Sequence, residues 1–379
     1  MKKSECREVL RQAFLYAKEN NSFCKTALVQ NADNVCVFGL GKYFEDAFVR
    51  QNIQKRFGVN YLCDNNPEKI AMLEKEQRFE NMKYITPDKL GEIENPVVII
   101  MLGDPRSALL QLSDIIGAGK CITYNDLILD DVMEANQGIE YYLDQENKML
   151  QVFDMLEDEK SVDVYVNTIC LRIAPHLATM SYEQLCQKPQ YFAEDVFELG
   201  KDECVADCGA YTGDTLQEFV QCVENEFEKY YAFELDSDNF VKLEENAGNI
   251  SKEKITCYPY GVWSEDKTIS YGKMSSEDSY SIYNQNEVET ARVVSIDNCL
   301  KDKKVTLIKM DIEGAEMAAL KGAENIIRTQ KPKMAICVYH RLEDMWNVPL
   351  YFRECNEDYK IYFRHHAEYW VSETVCYAV

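Results

Sequence analysis

The chain has 379 residues, of which 46% are hydrophobic. It contains 41 Lys and Arg and 65 Asp and Glu, which gives a formal net charge of -24. This length favours two or three domains, and the charge disfavours nucleic acid or an anionic membrane surface as the main partner. No run approaches the roughly 20 apolar residues of a membrane-spanning helix. The 15 cysteines form no C-x-x-C pair, so we expect free thiols in a reducing, cytoplasmic compartment and no zinc site.

The first third of the chain predicts a helix followed by one alternating domain. Residues 1–30 have the apolar periodicity of an amphipathic helix, and residues 31–125 alternate short apolar runs with helix-like segments. Such alternation predicts a parallel sheet with helices on both faces, which is a small Rossmann-like domain. Its five predicted strands begin near Val35, Val59, Tyr84, Pro96 and Lys120.

The first turn of this domain departs from the dinucleotide fingerprint G-x-G-x-x-G. In Gly39-Leu40-Gly41-Lys42-Tyr43-Phe44, a phenylalanine stands where the third glycine lets helix and strand approach closely. Asp64 does stand at the end of the second strand, where a ribose contact is expected. We interpret the domain as a degenerate scaffold, or as a recognition domain for a nucleotide-linked or glycan substrate, and not as a second catalytic centre.

Residues 126–195 lose the strand pattern and show helical periodicity with many acids, which predicts a helical connector. The end of the connector, Pro189–Asp195, leads into a second sheet and is placed to lie over its mouth. We interpret its aromatic pair, Tyr191-Phe192, as packing.

Residues 196–379 again alternate strands with helices, which predicts a second parallel sheet. Between its third and fourth strands, the stretch Thr268–Val294 is rich in Ser, Tyr and Asn and predicts an inserted hairpin or flap. The first strand, Cys204–Asp207, ends in an acid and is followed by Gly209 and Gly213. Glycine is needed where the backbone turns sharply or approaches a ligand closely.

The spacing D-x-G-x-x-x-G in this loop resembles motif I of class I methyltransferases that use S-adenosylmethionine (SAM). Asp207, Gly209 and Gly213 occupy its fixed positions. About twenty residues later, the second strand ends at Glu234. A carboxylate at that place typically binds the two ribose hydroxyls of a nucleoside. Together the two patterns predict a nucleoside-bearing cofactor.

Acids and a histidine follow the fourth and fifth strands of this second sheet. Asp311 and Glu313 come directly after the fourth strand, and His340 follows the fifth. If these strands are neighbours, Asp311 and His340 meet and form a candidate general-base pair for a hydroxyl acceptor. A structural role for His340 and either role for Glu313 stay open, and we assign Glu316 to the helix dipole alone. The same two acids and histidine are a conceivable magnesium site, but they do not establish one, and we predict no metal.

Residues 185–379 as a whole resemble the FkbM family of SAM-dependent methyltransferases. The string Lys309–Glu316 is the family-specific part, and Tyr260–Ser264 and Ser295–Asp297 extend the likeness. The resemblance implies a class I fold, SAM as methyl donor, and methylation of a hydroxyl on a small molecule, often a sugar, a glycan or a natural product. It implies cofactor contacts by Asp207, Gly209, Tyr211, Thr212, Gly213, Asp214, Glu234 and Val262.

The predicted fold class is therefore α/β, with two Rossmann-like domains joined by a helical connector and the second domain a class I methyltransferase fold. The predicted catalytic residues are Asp311, His340 and Glu313. Two alternatives remain. One is a nucleotide-sugar or dinucleotide-binding protein, or an oxidoreductase, that acts through the first domain. The other is a SAM-binding module without catalysis. The sequence leaves the acceptor and the oligomeric state open.

Overall fold

The computed structural model describes residues 2–20, 25–42, 44, 48, 52–79, 81–124, 127, 138–273, 280–281, 288–368 and 371–379. The chain divides into two compact units, which interleave along the sequence. The N-terminal unit consists of Met1–Asn147, Val162–Cys186 and Ala367–Val371. The C-terminal unit consists of Lys148–Ser161, Gln187–His366 and Ser372–Val379. The domain ranges given from the sequence stay a prediction.

The N-terminal unit is built on a five-stranded parallel sheet. Its strands are β1 (Asn34–Phe38), β2 (Val59–Cys63), β3 (Lys83–Ile85), β4 (Pro96–Ile100) and β5 (Cys121–Thr123). They lie in the order β3-β2-β1-β4-β5, and every pair is parallel. The strands are short and apolar because both faces are covered; all five residues of β4 are buried. The order reverses between β1 and β4, as in doubly wound nucleotide-binding sheets.

Helices precede and cover this sheet, as the apolar periodicity predicts. The described helices of this part of the chain are Lys3–Asn20, Lys25–Gln30, Ile53–Phe57, Pro67–Glu76 and Arg106–Ile116, with 3-10 turns at Pro87–Glu92 and Ala118–Lys120. The stretch between the two sheets is helical: Gly138–Asp144, Glu146–Met155, Glu159–Ile173, Pro175–Leu177 (3-10) and Tyr182–Leu185. Residues 125–126 and 128–137, at its start, lie outside the described residues. No helix in the described ranges is long and apolar enough to cross a membrane.

The C-terminal unit contains a seven-stranded sheet. Its strands are β6 (Cys204–Cys208), β7 (Lys229–Phe233), β8 (Ile255–Tyr258), β13 (Leu307–Met310), β14 (Lys333–Cys337), β15 (Ile361–His365) and β16 (Thr374–Ala378). The order is β15-β16-β14-β13-β6-β7-β8, with β16 antiparallel to both of its neighbours and the rest parallel. The fourth and fifth predicted strands, β13 and β14, are thus neighbours at the centre of the sheet.

Helices alternate with these strands and bury their apolar faces against them. They are Asp214–Cys222, Ser237–Ile250, Ile296–Cys299, Glu316–Lys321, Glu324–Gln330 and Asp344–Cys355. Between β8 and β13 lies the predicted insertion, a small sheet of β9 (Gly261–Val262), β10 (Lys267–Lys273), β11 (Tyr280–Ser281) and β12 (Val288–Val294). Strands β10 and β12 pair antiparallel, which confirms the predicted hairpin. Residues 274–279 and 282–287 lie outside the described residues.

Candidate functional site

A cavity of about 700 Å³ opens at the carboxyl ends of β6, β7 and β13 in the C-terminal unit. Ligands of open parallel sheets bind at this edge, and the volume is within the range of about 300–1,000 Å³ found for small-molecule sites. The cavity is lined by seven of the predicted site residues: Gly209, Tyr211, Asp214, Glu234, Val262, Asp311 and Glu313. Its lining does not include Asp207, Thr212, Gly213 or His340, although each lies next to a residue that does line it.

The glycine loop after β6 takes the conformation that the sequence predicts. Gly209 has φ of 78°, and a Cβ atom there would lie 1.9 Å from the carbonyl oxygen of Asp311. Gly213 has φ of 89° and precedes the helix Asp214–Cys222. Only glycine tolerates such a contact and such a φ without strain. The loop therefore lies against the end of β13, and the N-terminus of the helix Asp214–Cys222 lies at the cavity.

Glu234 directly follows β7 and is hydrogen-bonded to the backbone of this loop. Its carboxylate accepts the backbone N–H groups of Tyr211 and Asp236, each at 2.8 Å. The residue is 8% exposed and still lines the cavity. Burial raises the pKa of Glu234, and the two backbone N–H donors lower it. Burial has the larger effect, so that the pKa is about 7. Near neutral pH this carboxyl is therefore close to half ionised.

Asp207 lies beneath the cavity and not in its wall. Its side chain is fully buried and accepts the hydroxyl of Tyr230 at 2.7 Å. The Nζ atom of Lys309 lies 3.0 Å from its Oδ1 atom. Thr212 is likewise engaged within the protein, since its carbonyl accepts the amide of Asn246 at 2.8 Å. The structure thus gives partners inside the fold to two residues that the resemblance assigns to the cofactor.

Three carboxylates surround the imidazole of His340. Its Nε2 atom lies 3.3 Å from Asp311 Oδ1 and 3.4 Å from Glu313 Oε2, and its Nδ1 atom lies 2.8 Å from Glu316 Oε1. Asp311 and His340 are therefore in contact, as the sequence predicts. Burial disfavours the imidazolium, but the three carboxylates outweigh it, Glu316 most strongly, and raise the pKa of His340 to about 10. The ring is charged at neutral pH, whereas a general base must be neutral.

Glu316 does more than the sequence suggests. It is fully buried at the start of the helix Glu316–Lys321, where it accepts the backbone N–H of Ile312 at 3.0 Å as well as contacting His340. It therefore orients the imidazole, a role that joins two residues 24 positions apart in the chain. Within the described ranges, Asp311, Glu316 and His340 form the group whose potential metal-ligand atoms lie within 4.8 Å of one another. In this structure the imidazole of His340 forms ion pairs with both carboxylates of that group.

Two tyrosines bind the carboxylate of Asp311. Tyr191 donates its hydroxyl to Oδ2 at 2.6 Å, and Tyr339 donates to Oδ1 at 3.0 Å. Burial and the charge of Asp311 raise the pKa of both phenols, so they remain donors. Tyr191 does pack in the core of this unit, as interpreted, but its hydroxyl also reaches the site, which the sequence did not predict. Its neighbour Phe192 packs against Phe219. The segment before β6 thus forms part of the cavity wall.

Backbone strain concentrates in the same wall. Four non-glycine residues that line the cavity have left-handed φ values: Tyr191 (65°), Tyr211 (48°), Glu313 (55°) and Glu373 (66°). Such conformations cost energy and cluster at functional sites. Glu373, at the start of β16, accepts the side-chain amide of Gln190 at 2.6 Å. The string Glu373–Ala378 is part of the resemblance to the FkbM family, but sequence reasoning assigned Glu373 no role in the site, because no local spacing connects it with the glycine loop or with Asp311.

Comparison with known proteins gives one family match. The family model described as the methyltransferase FkbM domain matches residues 207–360. This range begins at Asp207 and contains the glycine loop, Glu234 and the carboxylates around His340. No curated protein matches the chain.

A solved structure shows the same fold over nearly the whole chain, and others are similar over about half of it. The crystal structure of methyltransferase FkbM from Methylobacillus flagellatus KT is similar over 98% of this chain and 100% of that chain, with 21% identity and a TM-score of 0.69. An rRNA methylase from Streptococcus thermophilus covers 48% of this chain and 87% of its own, at 13% identity and a TM-score of 0.32. The crystal structure of Aeropyrum pernix fibrillarin with natively bound SAM is similar over 48% of this chain and 70% of that chain, with 11% identity and a TM-score of 0.32. The first likeness confirms the predicted α/β class with Rossmann-like sheets.

Proposed function

We propose that the chain is a SAM-dependent methyltransferase that methylates a hydroxyl oxygen of a sugar, a glycan or a natural product, because residues 207–360 match the family model described as the methyltransferase FkbM domain. One observation carries the proposal. A single cavity has the glycine loop and Glu234 in one part of its wall and the carboxylates Asp311 and Glu313 in another. Such a cavity has room for a nucleoside cofactor beside an acceptor.

The cofactor would occupy the part of the cavity between β6 and β7. Gly209, Tyr211 and Asp214 would hold its methionine end, where loop and helix N-terminus meet. Glu234 would accept the ribose hydroxyls, and Val262 would contact the adenine. When bound, SAM supplies an electrophilic methyl group on a positively charged sulfur. The residues of the chain contribute alignment, since holding the acceptor in line with that methyl supplies much of the rate.

The acceptor hydroxyl must lose its proton as it attacks. We propose that the proton passes by way of the cavity-lining carboxylate of Asp311 or Glu313 to His340 Nε2, which contacts both. Because the pKa of His340 is raised to about 10, only about one ring in a thousand is neutral at pH 7. Glu313 is the competing base, since its side chain is 34% exposed and contacts the same Nε2 atom. The pH dependence of the rate separates these two residues.

A transfer experiment tests the function directly. The purified chain is incubated with SAM carrying a labelled methyl group and with pools of glycosides, oligosaccharides and hydroxylated natural products. We expect label in an O-methyl product, identified by its methyl carbon shift. Label on nitrogen or carbon would contradict the hydroxyl acceptor. Saturable SAM binding without transfer to any pool would favour the alternative of a SAM-binding module without catalysis.

The N-terminal unit gives little support to the alternative of dinucleotide binding. Its first turn is occupied by the protein's own groups: the carboxylate of Asp64 accepts the backbone N–H of Leu40 at 2.9 Å. A Cβ atom on Gly39 would lie 2.6 Å from the side chain of Leu102, which therefore fills the space above the turn. Phe44 is buried in the core against Phe48. A ribose and a pyrophosphate would have to displace these contacts.

We therefore expect that NAD and NADP do not stabilise the chain. Thermal unfolding is measured with each dinucleotide, with nucleotide sugars, and with SAH, the demethylated cofactor. SAH should raise the melting temperature, and the dinucleotides should leave it unchanged. A ligand present at 100 times its Kd stabilises by about 2.7 kcal/mol, so binding is readily seen. A comparable shift with NAD would revive the oxidoreductase alternative.

We also propose a reducing compartment such as the cytoplasm. Each cysteine in the described ranges is a free thiol, and most of them are buried. Burial raises the pKa of thiols such as Cys208 and Cys337, which keeps them unreactive. The strongly negative net charge supports a small-molecule or glycan acceptor over nucleic acid.

A further inference from the structure

Lys309 is a buried ammonium in β13, the strand between β6 and β14. Its side chain is 2% exposed. Besides Asp207, its Nζ atom donates to the carbonyl oxygen of Gly209 at 2.7 Å and lies 4.9 Å from the ring centre of Tyr191. A charge in such a place is costly unless it is paired and hydrogen-bonded.

Stability alone does not explain this pair. Buried ion pairs can often be replaced by apolar residues of similar volume without loss of stability. Asp207 also has a second donor in the Tyr230 hydroxyl. An apolar side chain in place of Lys309 would lack the hydrogen bond to the Gly209 carbonyl and the contact of the ammonium with the Tyr191 ring. That bond connects the centre of the sheet to the first glycine of the loop.

The Gly209 peptide is fixed on several sides. Its N–H and that of Ala210 both donate to the carbonyl of Phe233, at 3.0 Å each. Its Cα lies against the backbone of Asp311. Because a peptide group is planar, the direction of the Gly209 carbonyl also sets the direction of the Ala210 N–H. Lys309 holds the carbonyl end of the peptide between Gly209 and Ala210, the Phe233 carbonyl holds its N–H end, and together they set the path of the loop backbone.

We propose that Lys309 is a positioning residue that holds the glycine loop in its cofactor-binding form, and that Asp207 neutralises Lys309 and does not contact the cofactor. This inference rests on the proposed function, because the loop is taken to bind the methionine end of SAM. The Lys309 ammonium also lies against Tyr191, whose hydroxyl binds Asp311. One side chain thus connects the cofactor loop with the carboxylate beside the acceptor.

The decisive variant is Asp207→Asn with Lys309→Met. The single change Lys309→Met would leave a buried carboxylate unpaired, whereas the double change removes both charges at similar volume. Binding of SAH is measured by titration calorimetry, together with the melting temperature of the unliganded chain. Lys303→Met is the matched control: Lys303 bonds the hydroxyl of Tyr258 at 2.7 Å and does not line the cavity.

We expect the double variant to melt near the wild-type temperature and to bind SAH at least tenfold more weakly, with Lys303→Met unchanged. Wild-type affinity in the double variant would overturn the inference, because the pair would then only balance charge. A double variant that does not fold would also overturn it, since the role would be structural. A wild-type chain that binds no SAH would remove the proposed function and this inference together.

Discussion

Replacing His340 with alanine is expected to lower the rate of methyl transfer by about 10²–10⁴, the contribution typical of a general base. SAH affinity should change little, because His340 does not line the cavity and Glu234 and the glycine loop remain. In the wild type the rate should rise with pH and level off near 10. Neutral Nε2 becomes available only there, because the carboxylates of Glu316, Asp311 and Glu313 hold the pKa of His340 at about 10.

The measurement is single-turnover transfer between pH 6 and 10.5 for wild type, His340→Ala and Glu313→Gln. A wild-type rate that is flat from pH 7 to 10, together with a large loss in Glu313→Gln, would assign the base to Glu313. Unfolding must be followed in parallel. The folded-state pKa of His340 lies above its usual 6.5, so its contribution to stability is complete below 6.5 and is lost as the pH rises through about 10.

The affinity for SAH is expected to fall by about tenfold per pH unit below pH 7 and to be constant from pH 7.5 to 8.5. Glu234 accounts for this dependence, because burial raises its pKa to about 7. The ribose hydroxyls donate to a carboxylate, so below pH 7 binding must first remove a proton from Glu234. The neutral variant Glu234→Gln should bind with no such dependence and, above pH 7, about 10- to 150-fold more weakly, for a charge-assisted bond of about 1.5–3 kcal/mol.

Titration calorimetry of wild type and Glu234→Gln between pH 5 and 8.5 measures both effects. Glutamine keeps the size of the side chain and a carbonyl acceptor for one of the two backbone N–H donors, so the variant removes the charge together with one of these two hydrogen bonds. If the Gln variant kept the wild-type affinity and pH dependence, Glu234 would be removed from the ribose site.

Local pattern was enough to predict the sheets and the cofactor loop. Apolar runs that end in an acid or a glycine mark strands such as β6 and β13, and the D-x-G-x-x-x-G spacing forces a turn that only glycine allows at Gly209. The contact between Asp311 and His340 could be predicted on one further assumption, that β13 and β14 are neighbours in the sheet, and they are. These features depend on residues close in sequence or on the order of strands.

The protonation and bonding of the site could not be predicted in this way. Glu316 reaches His340 across 24 positions of the chain, and Tyr191 reaches Asp311 across 120. The pKa of His340 depends on how many carboxylates surround the ring, and the sequence suggested Asp311 and Glu313 but not Glu316, which raises it most. Likewise, the pairing of Asp207 with Lys309 depends on the register between β6 and β13, in which these two residues are Cα partners.

The C-terminal unit begins before its own sheet, at Lys148. Leu156 bridges Ile361 in β15, and Asp158 pairs with the buried Arg364. Ala367–Val371, which lie between β15 and β16 in the sequence, belong to the other unit. A fragment cut at residue 196 would leave Arg364 without Asp158. Gene recombination that moves an uninterrupted segment could not transplant either unit whole, so the two halves are expected to have been inherited together.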